Sequence, residues 1–530
     1  MSFTTLLLFL FSSASFSHAL PLSTSSRWIV DAESGERVKL ACVNWAAHLE
    51  PMLPEGLDKK PLNKIARHIS SMGFNCVRLT WATHMFTRHA NLTVSQNFHN
   101  LGLKDAISGI GKNNPELLSL TVVDAQKAVI EALGSHGVMV LLDNQVSRPM
   151  WCCDNHDGNG FFGDKYFGTI EWLLGLKIVA RRYKNNPMVM AMSLRNELRG
   201  PNQNQSAWYK YVEKGANTIH KANPNVLILI SGLDYDIDFS FLKKKPLEVN
   251  LNGKMVYEFH RYPFTEGEGP LWIDQPLDKQ CNNITQELNE KALFLLKDTP
   301  LFVTEFGIDQ TAPENDKGNL FLGCFLNLLA EHDLDWGVWA LQGSYYYRSG
   351  LQDTVETFGM LNSSWTHLRS PTFLDKLQFI QQKIQDPKSE EPEHYVMFHP
   401  QSGRCVQVDD NNEVFASDCR SLSKWRHDGD GTSISLLGTP YCLTAVGEGL
   451  PVALTTNCFN EQSIWKLASS YQLANVGEDG TELCLEWNVD YNSRITTRKC
   501  MQAPQHPKNN LDNPQIQWFT LVKSNIKYKH

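Results

Sequence analysis

Between about Arg37 and Leu341 the chain alternates short β-branched or apolar runs with longer amphipathic stretches, the rhythm of strand–helix units built around a parallel sheet. Eight runs read as strands. They are VKLACVNW ending at Trp45, NCVRLTW at Trp81, VMVLLD at Asp143, VMAMSLRNE at Glu197, VLILIS at Ser231, MVYEFH at His260, LFVTEF at Phe306 and WGVWALQ at Gln342. Between them, stretches such as LNKIARHISSMG and VVDAQKAVIEALGSHG carry helical periodicity, the second stopped by Gly137. Eight strand-then-helix repeats in about 300 residues fit a closed (β/α)₈ TIM barrel better than an open doubly wound sheet.

Past Pro387 the rhythm changes. KSEEPE is a charged, proline-containing linker, and a threefold repeat follows it: RCVQV…SDC (Cys405, Cys419), YCLTA…TNC (Cys442, Cys458) and LCLEW…RKC (Cys484, Cys500), trailed by Trp425, Trp465 and Trp518. Pairing within each unit is the simplest of the connectivities open to six cysteines. The expectation is an all-β trefoil with three disulfides and the tryptophans in a shared core. The predicted division is a leader at 1–19, the barrel at 27–386, the linker at 387–392 and the trefoil at 393–524.

The leader, MSFTTLLLFLFSSASFSHA, has an apolar run followed by Ser17 and Ala19 as small residues before a cleavage point, although no basic residue precedes the run. Twelve cysteines and sequons at Asn91, Asn204, Asn283 and Asn362 agree with an oxidising route. A secreted, extracellular protein of a cell-wall or apoplast-like space is expected, monomeric and without a membrane span. A net charge of −8 with acid and base interspersed offers no basic footprint, which excludes nucleic acid as an expected partner. No His-Glu-x-x-His, phosphate loop or Gly-x-Ser-x-Gly occurs, so neither metal nor cofactor is expected.

In such a barrel the functional groups stand at the C-terminal ends of the strands, where the loops converge over one mouth. Those positions hold Arg78, Asp143-Asn144-Gln145, Asn196-Glu197, His260, Tyr262, Glu305 and Trp339. Breaking a glycosidic bond with two carboxyl groups requires one protonated and one ionised. Glu197 and Glu305 end strands on opposite sides of the mouth, and ~5 to 5.5 Å between them is the separation expected of a retaining pair. The loop RPMWCCDNHDGNGFFGD lacks the spacing of a calcium loop and reads as a substrate-shaping loop, with Trp151 and Phe161 facing either the cleft or the barrel. Cys42, Cys76, Cys152, Cys153, Cys281 and Cys324 are left as bridges or buried thiols.

The stretches VRLTW, SLRNEL, EFHRYPF, VTEFG and GVWAL resemble, in order and spacing, the strand-end motifs of glycoside hydrolase family 5. The resemblance runs from Asn44 to Gln342. It implies Glu197 as acid/base, Glu305 as nucleophile, Asn196 on the sugar 2-hydroxyl and Arg78 holding Glu305 ionised. By the same resemblance His260 and Tyr262 orient the carboxylates, and Trp339 floors the cleavage subsite. Where that family usually carries Asp-x-His, this chain has Gln145 in the histidine's place, which predicts lowered activity or an altered pH dependence. The implied activity is retaining hydrolysis of a β-linked polysaccharide that is cellulose-, mannan- or mixed-glucan-like. The alternatives are a carbohydrate-binding protein with a weakened barrel and a transglycosylase using the same residues. The tail resembles a ricin-B-type lectin domain, but Gln407, Thr444 and Glu486 stand where sugar-binding units of that family place Asp, so glycan binding there is possible yet disfavoured.

Overall fold

The structure, a computed structural model, describes residues 21–265, 276–312, 317–476, 480–488, 492–501 and 513–528. The expected leader lies outside them. Eight parallel strands close into a barrel: β1 (Ala41–Trp45), β2 (Cys76–Ala82), β3 (Met139–Val146), β4 (Val189–Ser193), β5 (Leu227–Ser231), β6 (Met255–Arg261), β7 (Leu301–Phe306) and β8 (Asp335–Val338), with β8 pairing back onto β1. Almost every strand residue is buried, because helices cover the outside and side chains fill the inside.

The covering helices form where the sequence has a cap and an apolar face. The helix Val122–Ser135 starts at Thr121, whose hydroxyl accepts the Asp124 amide, turns Val122, Val129, Ile130 and Leu133 inward, and ends before Gly137 in left-handed backbone (φ 73°). The repeat is not perfect. Between β5 and β6 stands only a short 3₁₀ helix, Ser240–Lys243, in place of the expected α-helix. Lys243, Lys244 and Lys245 run into Pro246, which leaves no apolar face to bury.

Inside the barrel the composition changes with height. Cys42, Cys76, Met139, Leu141, Ala191, Leu227, Leu229, Val256 and Phe302 pack as one apolar cluster, closed from below by Leu22 and Ile29 of an N-terminal hairpin (Leu22–Ser25 and Trp28–Asp31). Two residues further along each strand the side chains facing the same way are Asn44, Arg78, Asp143, Ser193, Ser231, Glu258 and Thr304, all buried. The strands thus carry an apolar plug below and a polar layer above.

Two expected strands are shorter. The fourth ends at Ser193 rather than at Glu197, and the eighth at Val338 rather than at Gln342. Glu197 holds left-handed backbone (φ 44°), which a ladder does not accommodate, and its N–H is taken by the Asp236 carboxylate at 2.9 Å.

The described residues of the C-terminal region form twelve strands in three sets of four, the arrangement expected of a trefoil. The inner hairpins, Arg404–Val408 with Val414–Ser417, Cys442–Thr444 with Ala453–Thr455 and Glu482–Trp487 with Ile495–Lys499, are tied by Cys405–Cys419, Cys442–Cys458 and Cys484–Cys500. Its core holds Trp425 and Trp465 but not Trp518. Phe519 takes the third place, while Trp518 stacks on Tyr471 (4.5 Å) and packs with Leu277, Cys281, Leu320 and Cys324 of the barrel helices. Adjacent residues of an extended segment face opposite ways, so a one-residue offset moves the tryptophan from core to interface. The two regions are packed together, with Phe379 against Phe398 at 4.6 Å. Residues 387–392, expected to be a linker, are anchored: the Ser389 hydroxyl donates to the Asn525 carbonyl, and Glu391 pairs with Lys424.

Candidate active site

The polar layer opens into a cavity of about 670 Å³ lined by His48, Gln145, Trp151, Cys152, Cys153, Glu197, Tyr235, Ile237, His260, Tyr262, Glu305 and Trp339, and by Arg348, Val355, Glu356 and Phe358 from the segment after β8. One oxygen of Glu197 and one of Glu305 lie within 4.8 Å of each other, with His260 Nδ1 between them, 2.9 Å from Glu197 Oε1 and 3.9 Å from Glu305 Oε2.

The two carboxyls stand in different settings. Glu305 Oε1 accepts from Arg78 Nη1 at 2.5 Å and its Oε2 accepts from the Tyr262 hydroxyl at 2.8 Å, two donors that stabilise the ionised form. Burial pushes Glu197 up to about 7, against the opposing pull of Arg199 and Arg78. Burial also holds His260 down at about 4, so the bridging imidazole is neutral at neutral pH. One acid is therefore poised to hold its proton beside another whose two oxygens each accept a hydrogen bond from a fixed donor.

Arg78 is the hub of the layer beneath. Its guanidinium reaches Asn44 Oδ1 (3.0 Å), Asn196 Oδ1 (2.8 Å) and Asp143 Oδ1 (2.9 Å) as well as Glu305. Although burial opposes its charge, the carboxylates of Asp143, Glu305 and Glu258 outweigh that and raise it. Burial lifts Asp143 itself to about 8 despite Arg78.

The residues picked out at strand ends lie in this constellation, with differences of depth, except Asn144, whose side chain donates to Thr83 and accepts from Arg195. Asn196 is fully buried below the cavity lining, its oxygen on Arg78 and its amide nitrogen 3.7 Å and 3.5 Å from the sulfurs of Cys152 and Cys153. Trp339 and Gln145 line the cavity, and Gln145 Oε1 is buried without a partner. Of the two loop aromatics, Trp151 lines the cavity under the Arg348 guanidinium (3.6 Å), whereas Phe161 packs on Phe162 and the barrel. Asn91, Asn204 and Asn283 are exposed; Asn362 is half-buried, with its amide donating to Ser364 and Thr366.

Several site residues escaped the sequence reading. His48, three residues beyond β1, is buried with Nδ1 on Thr80 Oγ1 at 2.9 Å and Nε2 unpartnered, and burial holds it neutral, down to about 3. Asp236 follows β5 in a run of left-handed backbone (φ 54°, 59° and 63° at Asp234, Tyr235 and Asp236) that aims its carboxylate at Glu197. The six barrel cysteines are joined as Cys42–Cys76, Cys152–Cys153 and Cys281–Cys324, the second pair forming part of the cavity wall. A charged residue inside an apolar strand was the available signal for Glu258; His48 and Asp236 lie in loops whose path no local pattern fixes.

A family profile described as Cellulase (glycosyl hydrolase family 5) matches residues 34–344, more than half of the chain. The chain belongs to glycosyl hydrolase family 5. It is a glycosidase that hydrolyses O-glycosyl bonds. A glycosyl hydrolase 5 family protein of Chamaecyparis obtusa is 44% identical over 97% of this chain and 95% of its own length, so the likeness extends through the C-terminal β-region. An endoglucanase of Paenibacillus polymyxa is 24% identical over 66% of this chain and 84% of its own. Among solved structures, the catalytic domain of the major endoglucanase of Xanthomonas campestris pv. campestris superposes with a TM-score of 0.56 at 21% identity, covering 68% of this chain and 99% of that one, a likeness of fold.

Proposed function

We propose that this family 5 protein is an exported, retaining endo-acting glycosidase of β-glucan-like chains, with Glu305 as nucleophile and Glu197 as acid/base. The observation that carries the reading is the approach of two differently held carboxyls to within 4.8 Å in one cavity. A nearest approach of that size between single oxygens fits carboxyl groups ~5 to 5.5 Å apart, the separation of a retaining pair. Glu305 attacks the anomeric carbon as Glu197 protonates the departing oxygen; Glu197 then takes a proton from the water that displaces Glu305. The names of the endoglucanase relatives support a β-glucan. The leader pattern and the six disulfides support export.

Arg78 and Tyr262 hold the nucleophile, His260 bridges the pair, and Trp339 offers an apolar face to the sugar. Where Gln145 departs from the family pattern, His48 supplies an imidazole to the wall of the same cavity, its Nε2 unpartnered and a donor for a substrate hydroxyl. The trefoil serves as a packed appendage rather than a lectin. Gln407 and Glu486 are buried, the first donating to the Asp418 carbonyl and the second accepting from Gln517.

The test is Glu305→Ala on an aryl β-cellobioside. The variant should lose turnover, and azide should restore part of it by forming the α-glycosyl azide. Unchanged turnover removes Glu305 from the chemistry, and rescue that yields the β-azide gives Glu305 the acid/base role instead of the nucleophile's.

A further inference from the structure

Beneath the carboxyl pair lies a third carboxylate that the proposed chemistry does not use. Glu258 stands on β6 two residues before His260, so both side chains point into the barrel, one layer apart. It is completely buried. Thr304 Oγ1 donates to its Oε2 at 3.0 Å, the Ser193 hydroxyl bonds Oε1, the Ser231 hydroxyl, which donates to the Arg195 carbonyl, lies 3.1 Å from the same oxygen, and Arg78 Nη2 is 3.7 Å from Oε2. A hydroxyl donor on each oxygen and a guanidinium nearby make Glu258 the acceptor for the Thr304 proton. Above it the chain of contacts continues: Thr304 Oγ1 lies 3.0 Å from His260 Nε2, and His260 Nδ1 lies 2.9 Å from Glu197 Oε1.

Proton counting gives this chain a direction. A hydroxyl has one proton. Thr304 gives its own to Glu258 and so offers His260 only a lone pair, which places the ring proton of the imidazole on Nε2. A neutral imidazole has one N–H, so Nδ1 is a bare acceptor, and Glu197 satisfies it only as a protonated acid.

We propose that Glu258 is a positioning residue for the hydrolysis, fixing the tautomer of His260 through Thr304 and thereby keeping Glu197 protonated before each bond cleavage. This rests on the reading of Glu197 as acid/base. Once Glu197 has passed its proton to the glycosidic oxygen, as that C–O bond breaks and the bond to Glu305 forms, its carboxylate faces the Nδ1 lone pair. The repulsion makes it a stronger base toward the water that attacks the anomeric carbon and releases Glu305, and the proton taken from that water restores the starting arrangement.

Other charges act on Glu197 as well. Arg199 and Arg78 favour its ionised form and Asp157 disfavours it. Asp236 accepts the Glu197 backbone N–H and lies 3.7 Å from His260 Nε2, Glu305 lies 3.9 Å from His260 Nδ1, and Asp143 sits on Arg78. None of these is altered when the Thr304 hydroxyl alone is removed.

The experiment is the pH dependence of kcat/KM on p-nitrophenyl β-cellobioside for the wild type, Thr304→Val and Thr304→Ser. Loss of the hydroxyl frees His260 to carry its proton on Nδ1 and donate to ionised Glu197. The alkaline limb should therefore move to lower pH in Thr304→Val by about one unit, the scale of a hydrogen bond to a charged group. Thr304→Ser, which keeps the hydroxyl, should hold the wild-type limb. Glu258→Gln, whose amide can donate to Thr304 and reverse the chain, should shift the limb in the same direction and serves if the valine variant does not fold. A folded Thr304→Val or Glu258→Gln with the wild-type limb overturns the proposal. Glu197→Ala separates the two readings: if it abolishes the limb while Thr304→Val leaves it in place, only the role of Glu258 fails; if Glu197→Ala keeps the limb, the acid/base assignment fails first.

Discussion

The mouth of the barrel and the core of the trefoil are both buried, yet they are built from opposite materials. Around Arg78 the barrel buries the carboxyls of Asp143, Asp236, Glu258 and Glu305 and holds Glu197 in left-handed backbone. The trefoil core is apolar: Met397, Val406, Trp425, Ile434, Trp465, Leu485 and Phe519, with three disulfides around it. Burying charge is costly unless it is paired, so a layer of this kind opposes folding and must be carried by the apolar plug below and the helices outside. Among its described residues the trefoil's apolar core holds no such charged layer; its buried polar groups, such as Gln407 and Glu486, stand outside that cluster. The difference locates the chemistry without any motif: it lies where the molecule tolerates an unfavourable interior.

This contrast can be broken in four ways. The largest effect belongs to Glu305→Gln, which should lower kcat by about 10⁴-fold or more while moving the thermal midpoint little, because Asp143 and Glu258 still face Arg78. Turnover and unfolding temperature measured on one preparation check both halves, and a large loss of stability with activity retained would reverse the assignment. Trp465→Ala should do the opposite, destabilising the protein by about 3 to 5 kcal/mol in denaturant melts with kcat unchanged below the transition. Loss of kcat in the folded variant would mean that the trefoil shapes the cleft.

A smaller effect is expected from His48→Ala, about 10- to 100-fold in kcat/KM, the worth of one donor to substrate. An unchanged value would leave the departure at Gln145 without compensation. Smallest is the pH dependence of stability. Folded Glu197 and Asp143 keep protons up to about 7 and about 8, above the range in which an unfolded carboxyl releases them. Their contribution to stability is whole below the ordinary carboxylate range and is lost as pH rises through those values. The thermal midpoint should therefore decline from pH 5 to 8, less steeply in Glu197→Gln, and a midpoint rising over that interval would contradict the placement of these protons. The same titration of Glu197 predicts an alkaline limb of kcat/KM near pH 7.

Much of this was legible in the chain. Barrel strands buried on both faces are continuous apolar runs, so all eight could be recognised; Glu197, His260, Tyr262, Glu305 and Trp339 stand at or shortly beyond the ends of those runs, and Arg78 stands inside the second. Most of the misplacements share a cause. The strand ends at Ser193 and Val338 and the outward turn of Trp518 depend on where single residues point, which a periodic pattern does not record, whereas the missing helix before β6 follows from Lys243 to Pro246, a stretch readable in the sequence.

By itself the sequence determined the two architectures, the order of the elements and which carboxyls could meet, because periodicity and strand-end position follow from local geometry that each segment carries alone. Only the tertiary structure decided that Glu197 would be raised and His260 held neutral, that His48, Asp236 and Glu258 would join them, and that Cys152 and Cys153 would wall the cleft. Those outcomes depend on burial and on charges brought from several strands. Desolvation and Coulomb forces act through space, and distance along the chain does not record them.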